Sequence, residues 1–452
     1  MFKAGGLPFP RGVRASLSQK HTSKAEDLAV TVAGPVSAAF AVYDGHGGLQ
    51  AAQTCVNSLT PKLLALSSLD DDEAIIDAFW DVDAELGVRK IFDGTTATVL
   101  LVANGEDDDD TVGESSSSSL HCTARPLRCV LAHVGDSSAI RLNMHSANSS
   151  ELLISETTQH LASSVDEQKR IKHLWATRRA LWGKEAVKKN VRRSSSAEEL
   201  MITDKDTDGL RSIDESLVLD EQTRPQRLEK MPSIYGSLPG NTPYMHPTLA
   251  AVSEAAIASV EDGQELSPEY LRVLWRAFRR ETAINAHARK AFGVRMESGI
   301  QRRGHARGPF AISTTLPNGQ MGANTCVSRS IGDWDAARSV LPHPDIEHFK
   351  VPAGEFHRVV IASDGVWDHM TAEEVAKIAR TTRRRTRVPQ AVLSVVLDRS
   401  RRKFGQLSDD STVVCIDLDA TGDNLGRATR ETSVDSSGML SIDGNDKCCS
   451  VQ

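Results

Sequence analysis

The pattern of apolar and polar positions divides this chain into strand-like runs, helical stripes and two long stretches that carry neither. Leu28 to Ala33 and Val36 to Tyr43 are apolar runs separated by Gly34-Pro35, which predicts two neighbouring antiparallel strands joined by a tight turn. Gly94 to Val102 is β-branched and apolar, as a central strand requires, and Leu127 to Val134 and Ser138 to Leu142 read as the next two. His357 to Ser363 and Val413 to Leu418 are the strands of the second half. Helices are predicted over Leu49 to about Leu59 and over Asp72 to Leu86, where Ile75, Ala78, Phe79, Val82 and Leu86 recur at helical spacing. Thr371-Ala372-Glu373-Glu374 is a capping box opening a helix through Ile378, and Val388 to Phe404 is a further amphipathic helix.

The patternless stretches set the organisation. An acidic run, Glu106 to Asp110, and a serine run, Ser115 to Ser119, cannot build a core and predict a disordered hairpin loop. From about Lys172 to Gln320 the chain turns basic, then polar, with two helical patterns at Thr248 to Val260 and Ser267 to about Phe292. The second opens on Ser267-Pro268-Glu269, a serine cap with proline at the first helical position. The expected division is a folded unit in two parts, 1–171 and 321–418, interrupted by an insertion at 172–320 and followed by a disordered tail at 419–452.

Composition narrows the function classes. A net charge of −7, from 53 basic and 60 acidic residues, excludes a generally basic nucleic-acid-binding surface. The basic cluster Lys169 to Arg193 reads as a solvated helix face rather than a track for nucleic acid. The 7 cysteines are odd in number and form no CxxC pair, as expected of reduced cytosolic thiols rather than a disulfide framework or a zinc site. No run has the apolar length of a membrane span. The opening residues lack the apolar middle of a secretion signal and are too short and serine-poor for a transit peptide. The expected location is therefore cytoplasmic, and the expected state a monomer.

Chemistry gathers where strands end. The run Phe40-Ala41-Val42-Tyr43 leads into Asp44-Gly45-His46-Gly47-Gly48, and His357 to Ser363 leads into Asp364-Gly365-Val366-Trp367-Asp368. Gly135-Asp136 lies between two strands, Glu26-Asp27 opens the first hairpin opposite Asp44, and Asp409 precedes the last strand. Carboxylates converging in this way repel, since two unit charges about 4 Å apart cost about 4 kcal/mol at an effective dielectric near 20. They coexist around cations, and oxygen ligands without cysteine favour magnesium or manganese. Two such ions can generate a hydroxide and clamp phosphate oxygens, which is phosphate ester hydrolysis. His46, two residues after Asp44, suits a general acid that protonates the leaving alkoxide.

In order along the chain, FAVYDGHGG, GTTATVLLV, LAHVGDSSAIRL, VSRSIGDWD, VIASDGVWD and DDSTVV resemble the motif series of the type 2C, metal-dependent Ser/Thr protein phosphatases. The resemblance covers about Gln19 to Leu174 and Gly322 to Leu418. It implies an α+β fold, a four-layer α-β-β-α sandwich of two antiparallel sheets flanked by helices, with phosphoproteins as substrates. It also implies two divalent cations bridged by hydroxide, plus a weaker third position. On these residues Asp44 bridges the ions and Gly45 offers its carbonyl to one of them. Asp364 and Asp409 complete the first, Glu26 and Asp27 act at the second in part through water, Asp136 and Asp368 hold the third, and His46 is the acid.

The chain departs from the family pattern in three places. Thr22 occupies the position of a phosphate-binding arginine, leaving Lys24, Lys20 or His21 to take the phosphate, with Lys24 the first candidate; Gln159-His160 stands for Asp-His; and the 172–320 stretch is much longer than usual. Against phosphatase activity stands a scaffold that keeps the fold and binds partners through its insertion. Two modifications are anticipated as well. Ser195, within Arg192-Arg193-Ser194-Ser195-Ser196, fits a basophilic kinase, and Cys449-Ser450-Val451-Gln452 reads as a prenylation box with Cys448 as palmitoylation partner, giving peripheral membrane contact.

Overall fold

The computed structural model describes residues 8–105, 124–146, 151–171, 276, 297–302, 310–315, 321–334, 340–382 and 384–422. Ser195, Cys448, Cys449, the runs at 106–119 and the helical patterns at 248–292, Arg276 apart, lie outside the described residues.

Both antiparallel sheets are built from hairpins whose central strands are the continuous apolar runs. One sheet has the order β1 (Val13–Lys20), β15 (Ser411–Asp419), β14 (Phe356–Ala362), β7 (Ser138–Asn143), β8 (Leu153–Glu156). The other runs β12 (Ile331–Gly332), β4 (Gly94–Thr95), β3 (Ser37–His46), β5 (Ala97–Asn104), β6 (Leu127–Val134), β13 (Asp345–Val351), with β2 (Asp27–Ala33) also paired to β3. Successive strand residues face opposite sides, so each sheet serves two cores. Phe40, Val42, Leu100 and Leu131 of the second sheet meet Val359, Ile361, Val414 and Ile416 of the first in the central layer.

The outer faces are covered by helices. Ala39, Ala41 and Tyr43 pack under Leu59, Leu63 and Phe79. These come from α1 (Gln50–Thr54) and α2 (Thr60–Leu64), joined by a π-helical turn at Cys55–Leu59, and from α3 (Asp72–Arg89). On the far side, Val360, Val413 and Cys415 pack against Val375, Ala376, Val392 and Val396 of α5 (Ala372–Thr381) and α6 (Val388–Phe404). The layers are therefore α-β-β-α. The capping box forms as written in the sequence, with Thr371 and Glu374 capping each other's backbone.

Three differences from the sequence reading bear on the site. The basic opening stretch contains β1, which pairs along its length with β15 from Val13–Leu418 to Lys20–Ser411. The expected strand over 94–102 breaks at Thr96, which leaves the ladder to hold neighbours: its N–H donates to the Asp44 carbonyl at 2.9 Å and its hydroxyl meets Ser137 Oγ at 2.7 Å. A third antiparallel sheet, β9 (Glu297–Arg302), β10 (Phe310–Thr315) and β11 (Met321–Thr325), crosses position 320.

Candidate active site

One rim of the sandwich collects the strand ends that carry acids. In the β2–β3 ladder Asp27 lies opposite Asp44. The β6–β7 turn, made possible by Gly135 at φ 99°, puts Asp136 on the same rim. β14 ends at Ala362 and α4 (Asp364–Trp367) begins at once, presenting Asp364, with Asp368 one turn later. Asp409 and Asp410 lead into β15, the neighbour of β14. Gly365 lets these last two segments touch, because a Cβ there would run into the Asp410 carbonyl. Gly45 does the same for Glu26, whose carbonyl would lie 2.8 Å from a Cβ.

Their fields act on one another. Burial first, then Asp364, Asp27 and Asp136, push the Asp44 carboxyl well above the usual range. Asp364 is pushed up in the same sense by burial and then by Asp136, Asp409 and Asp368. Burial raises Asp136 to about 6, with Asp368 and Asp409 adding to it and His46 opposing. Asp368 and Glu26 are likewise raised, chiefly by burial. The structure thus brings Glu26, Asp27, Asp44, Asp136, Asp364, Asp368 and Asp409 into one electrostatic neighbourhood.

Asp27 shows what this neighbourhood lacks. Its Oδ2 accepts from Ser363 Oγ and Thr412 Oγ1, both at 2.8 Å, while its buried Oδ1 meets no donor and the side chain lies against the Asp44 carboxyl. An orphaned carboxylate oxygen among like charges, in an all-oxygen donor set, fits a hard divalent cation. Among the described residues no three His, Cys, Asp or Glu side chains close around a single point.

His46 follows on β3, partly exposed, with Nε2 at 2.8 Å from Asp333 Oδ2. Burial opposes its protonation, but the Asp333 carboxylate outweighs it and raises the imidazole to about 9. The phosphate-ligand position is remade. Thr22 donates its N–H and its hydroxyl to Asp410 Oδ1, and Glu26 N donates to Asp410 Oδ2 at 2.7 Å, so Asp410 shapes the loop that carries Glu26. Lys24, exposed, holds Asp409 Oδ1 at 3.2 Å. Between them Ala25 sits at φ 52°, a strained conformation for a side-chain-bearing residue.

Asp333, Asp410, Ser363 and Thr412 are the residues that sequence reasoning missed. The doubled Asp409-Asp410 and the Gly332-Asp333 pair, a Gly-Asp step like Gly135-Asp136, were the available signals. Cys448, Cys449 and Ser195 cannot be placed relative to this rim, being outside the described residues.

The family model described as "Protein phosphatase 2C" matches residues 6–178 and 303–403. "Probable protein phosphatase 2C 12" of Oryza sativa subsp. japonica is 30% identical over 170 residues, 37% of this chain and 40% of that protein. "Probable protein phosphatase 2C 5" of Arabidopsis thaliana is 38% identical over 98 residues, 22% of this chain and 21% of that one. The matches thus span less than half the length of these curated relatives. Among solved structures, a serine-threonine phosphatase 2C from Toxoplasma gondii aligns over 91% of this chain and 97% of its own, at 14% identity and a TM-score of 0.49.

Proposed function

Because this chain belongs to the protein phosphatase 2C family, we propose that it hydrolyses phosphoserine and phosphothreonine in proteins, with magnesium or manganese held at the acidic rim. The observation that carries this reading is Asp27, opposite Asp44 with one buried oxygen that meets no donor, inside a cluster of carboxylates whose mutual repulsion a cation would relieve. Asp44 would serve two positions and the Gly45 carbonyl one of them, with Asp364 and Asp409 completing the first, Glu26 and Asp27 serving the second, and Asp136 and Asp368 a weaker third. Bound there, divalent cations supply an activated water and neutralise charge on the phosphoryl oxygens.

The remaining roles belong to side chains. His46 donates a proton to the departing seryl or threonyl oxygen. Lys24 turns from Asp409 to the substrate phosphate; its exposed ion pair costs little to break. As a point charge it binds phosphate less selectively than a planar guanidinium would. The scaffold alternative rests on Thr22, whose bonds to Asp410 replace an arginine's reach to substrate.

One assay separates the two readings. Hydrolysis of p-nitrophenyl phosphate and of a phosphothreonine peptide is measured with manganese, with EDTA, and in Asp44→Asn. The phosphatase reading expects manganese-dependent turnover and a loss of at least about 100-fold in the variant. Full activity in excess EDTA, or none under any condition, would overturn it.

A further inference from the structure

The geometry points to Asp333 as the positioning residue of His46, holding Nε2 so that the proton for the leaving group departs from Nδ1. This rests on the reading of His46 as proton donor and adds the group that aims it.

The pair is built across one glycine. In the short ladder at the sheet edge, His46 of β3 lies opposite Gly94 of β4, and Gly94 lies opposite Gly332 of β12. A side chain at 94 would fill the space where the imidazole and the Asp333 carboxylate meet, since its Cβ would fall within contact of both His46 Nε2 and Asp333 Oδ2. Glycine there lets β3 and the residue after β12 reach across a strand and touch at 2.8 Å.

Asp333 is itself clamped, which separates a positioning residue from a passing contact. Its side chain is 6% exposed against 34% for His46. Ser330 Oγ donates to the same Oδ2, the Asp333 N–H donates to the Asp93 carbonyl at 3.2 Å, and the preceding Gly332 N–H is held by Asp83 Oδ1 of α3 at 2.9 Å. The backbone at Asp333 is left-handed, φ 54°, a strained state that persists only where its surroundings dictate it.

The consequence is a choice of nitrogen. An ionised carboxylate only accepts, so Asp333 fixes Nε2 as a donor. His46 Nδ1 makes no hydrogen bond among the described residues. In the reaction the water oxygen bonds to phosphorus, the bond from phosphorus to the seryl or threonyl oxygen breaks, and that oxygen takes the proton from Nδ1. The imidazole regains a proton from solvent, to which the attacking water also yields its own. Nε2–H stays on Asp333 throughout, so the ring cannot rotate out of line.

The test compares Asp333→Asn, His46→Gln and the double variant on a phosphothreonine peptide, whose alkoxide needs the proton, and on p-nitrophenyl phosphate, whose phenolate does not. Asp333→Asn offers an amide that Ser330 can orient with its NH2 toward Nε2, where it cannot accept from Nε2–H and so cannot hold the ring that carries a proton on both nitrogens. The expected result is a kcat loss of about 100-fold or more on the peptide, under about fivefold on the aryl phosphate, and no further loss when His46→Gln is added. Equal losses on both substrates, or additive losses in the double variant, would overturn the proposal while leaving His46→Gln selectivity, and the phosphatase reading, intact. Should Asp333→Asn not fold, Ser330→Ala keeps the carboxylate and frees its orientation. It must show the same substrate selectivity to a smaller degree, and an unselective loss there overturns the proposal equally. Loss of selectivity in His46→Gln itself would remove the parent reading and this one together.

Discussion

At the scale of single residues the protein is governed by groups that burial forces out of their ordinary protonation. Asp27 is the sharpest case, because one oxygen is fully bonded and the other orphaned. In Asp27→Asn the amide oxygen can keep the Ser363 and Thr412 bonds while the charge disappears. The fold should survive and manganese affinity should fall about 10- to 100-fold, as read by calorimetric titration of the metal-stripped protein.

Far along β6 a second buried set works in the opposite sense. Burial and the neighbouring His160, stacked at 4.7 Å, push His133 down to about 3. Burial opposes Glu167's ionisation, but Arg170 and Arg329 hold it at about 2. Both groups bind fewer protons folded than unfolded. The His133 contribution is complete above about pH 6.5 and is lost as pH falls toward about 3; that of Glu167 is complete above about 4.3 and is lost toward about 2. His133 alone should therefore cost the fold about 2 kcal/mol between pH 7 and pH 5, a decline in melting temperature set against the opposite trend of the raised acids at the rim. His133→Gln should flatten the first part of that decline, and an unchanged slope would remove histidine from the account.

Elements meet at glycines. α4 and the start of β15 come together only because residue 365 has no side chain, and Asp364 and Asp409 ride on the two segments. Gly365→Ala must part them. A cost of about 2 kcal/mol in denaturant unfolding is expected from overpacking alone, together with weakened manganese binding. Unchanged metal affinity would show that the two acids do not act as one ligand set. The elements that the sequence pattern revealed were the central strands, buried on both faces and so apolar without interruption. β1, β8 and β13 escaped it because they are edge strands whose apolar positions are interrupted by polar ones, unlike β2, an edge whose run Leu28 to Ala33 is almost wholly apolar. Val13-Arg14-Ala15-Ser16 and Asp345-Ile346-Glu347-His348 dilute their apolar positions with charges, as exposed edges do to avoid pairing with other chains.

At the scale of the whole molecule, Arg276 ties the long insertion to the sandwich. Its side chain is 5% exposed, and its guanidinium lies against Glu73 and Asp77 of α3. The same helix holds Gly332 through Asp83, so the insertion is one helix away from the His46 pair. Arg276→Ala leaves two half-buried acids facing each other and should cost about 2 kcal/mol in urea unfolding. Arg276→Lys should restore only part, since an ammonium is more strongly hydrated than a guanidinium and loses more on burial. If the alanine variant unfolds at the wild-type midpoint, the insertion is not anchored there.

How much was legible follows from the range of the forces. Strand and helix identity, the capping box and the acids at strand ends rest on neighbours within a few residues, so the apolar run into Asp44-Gly45-His46 and its counterpart at Asp364 already announced an acidic rim. Pairings across the chain could not be read that way. Val13 opposite Leu418, Thr22 on Asp410 and His46 on Asp333, a reach of 287 residues, depend on which edges the sheets bring together. Local sequence therefore determined which acids and which histidine stand at the strand ends, because residue types and turns are short-range. Only the tertiary structure decided which partner orients each one, because hydrogen bonds and buried charges answer to distance in space rather than along the chain.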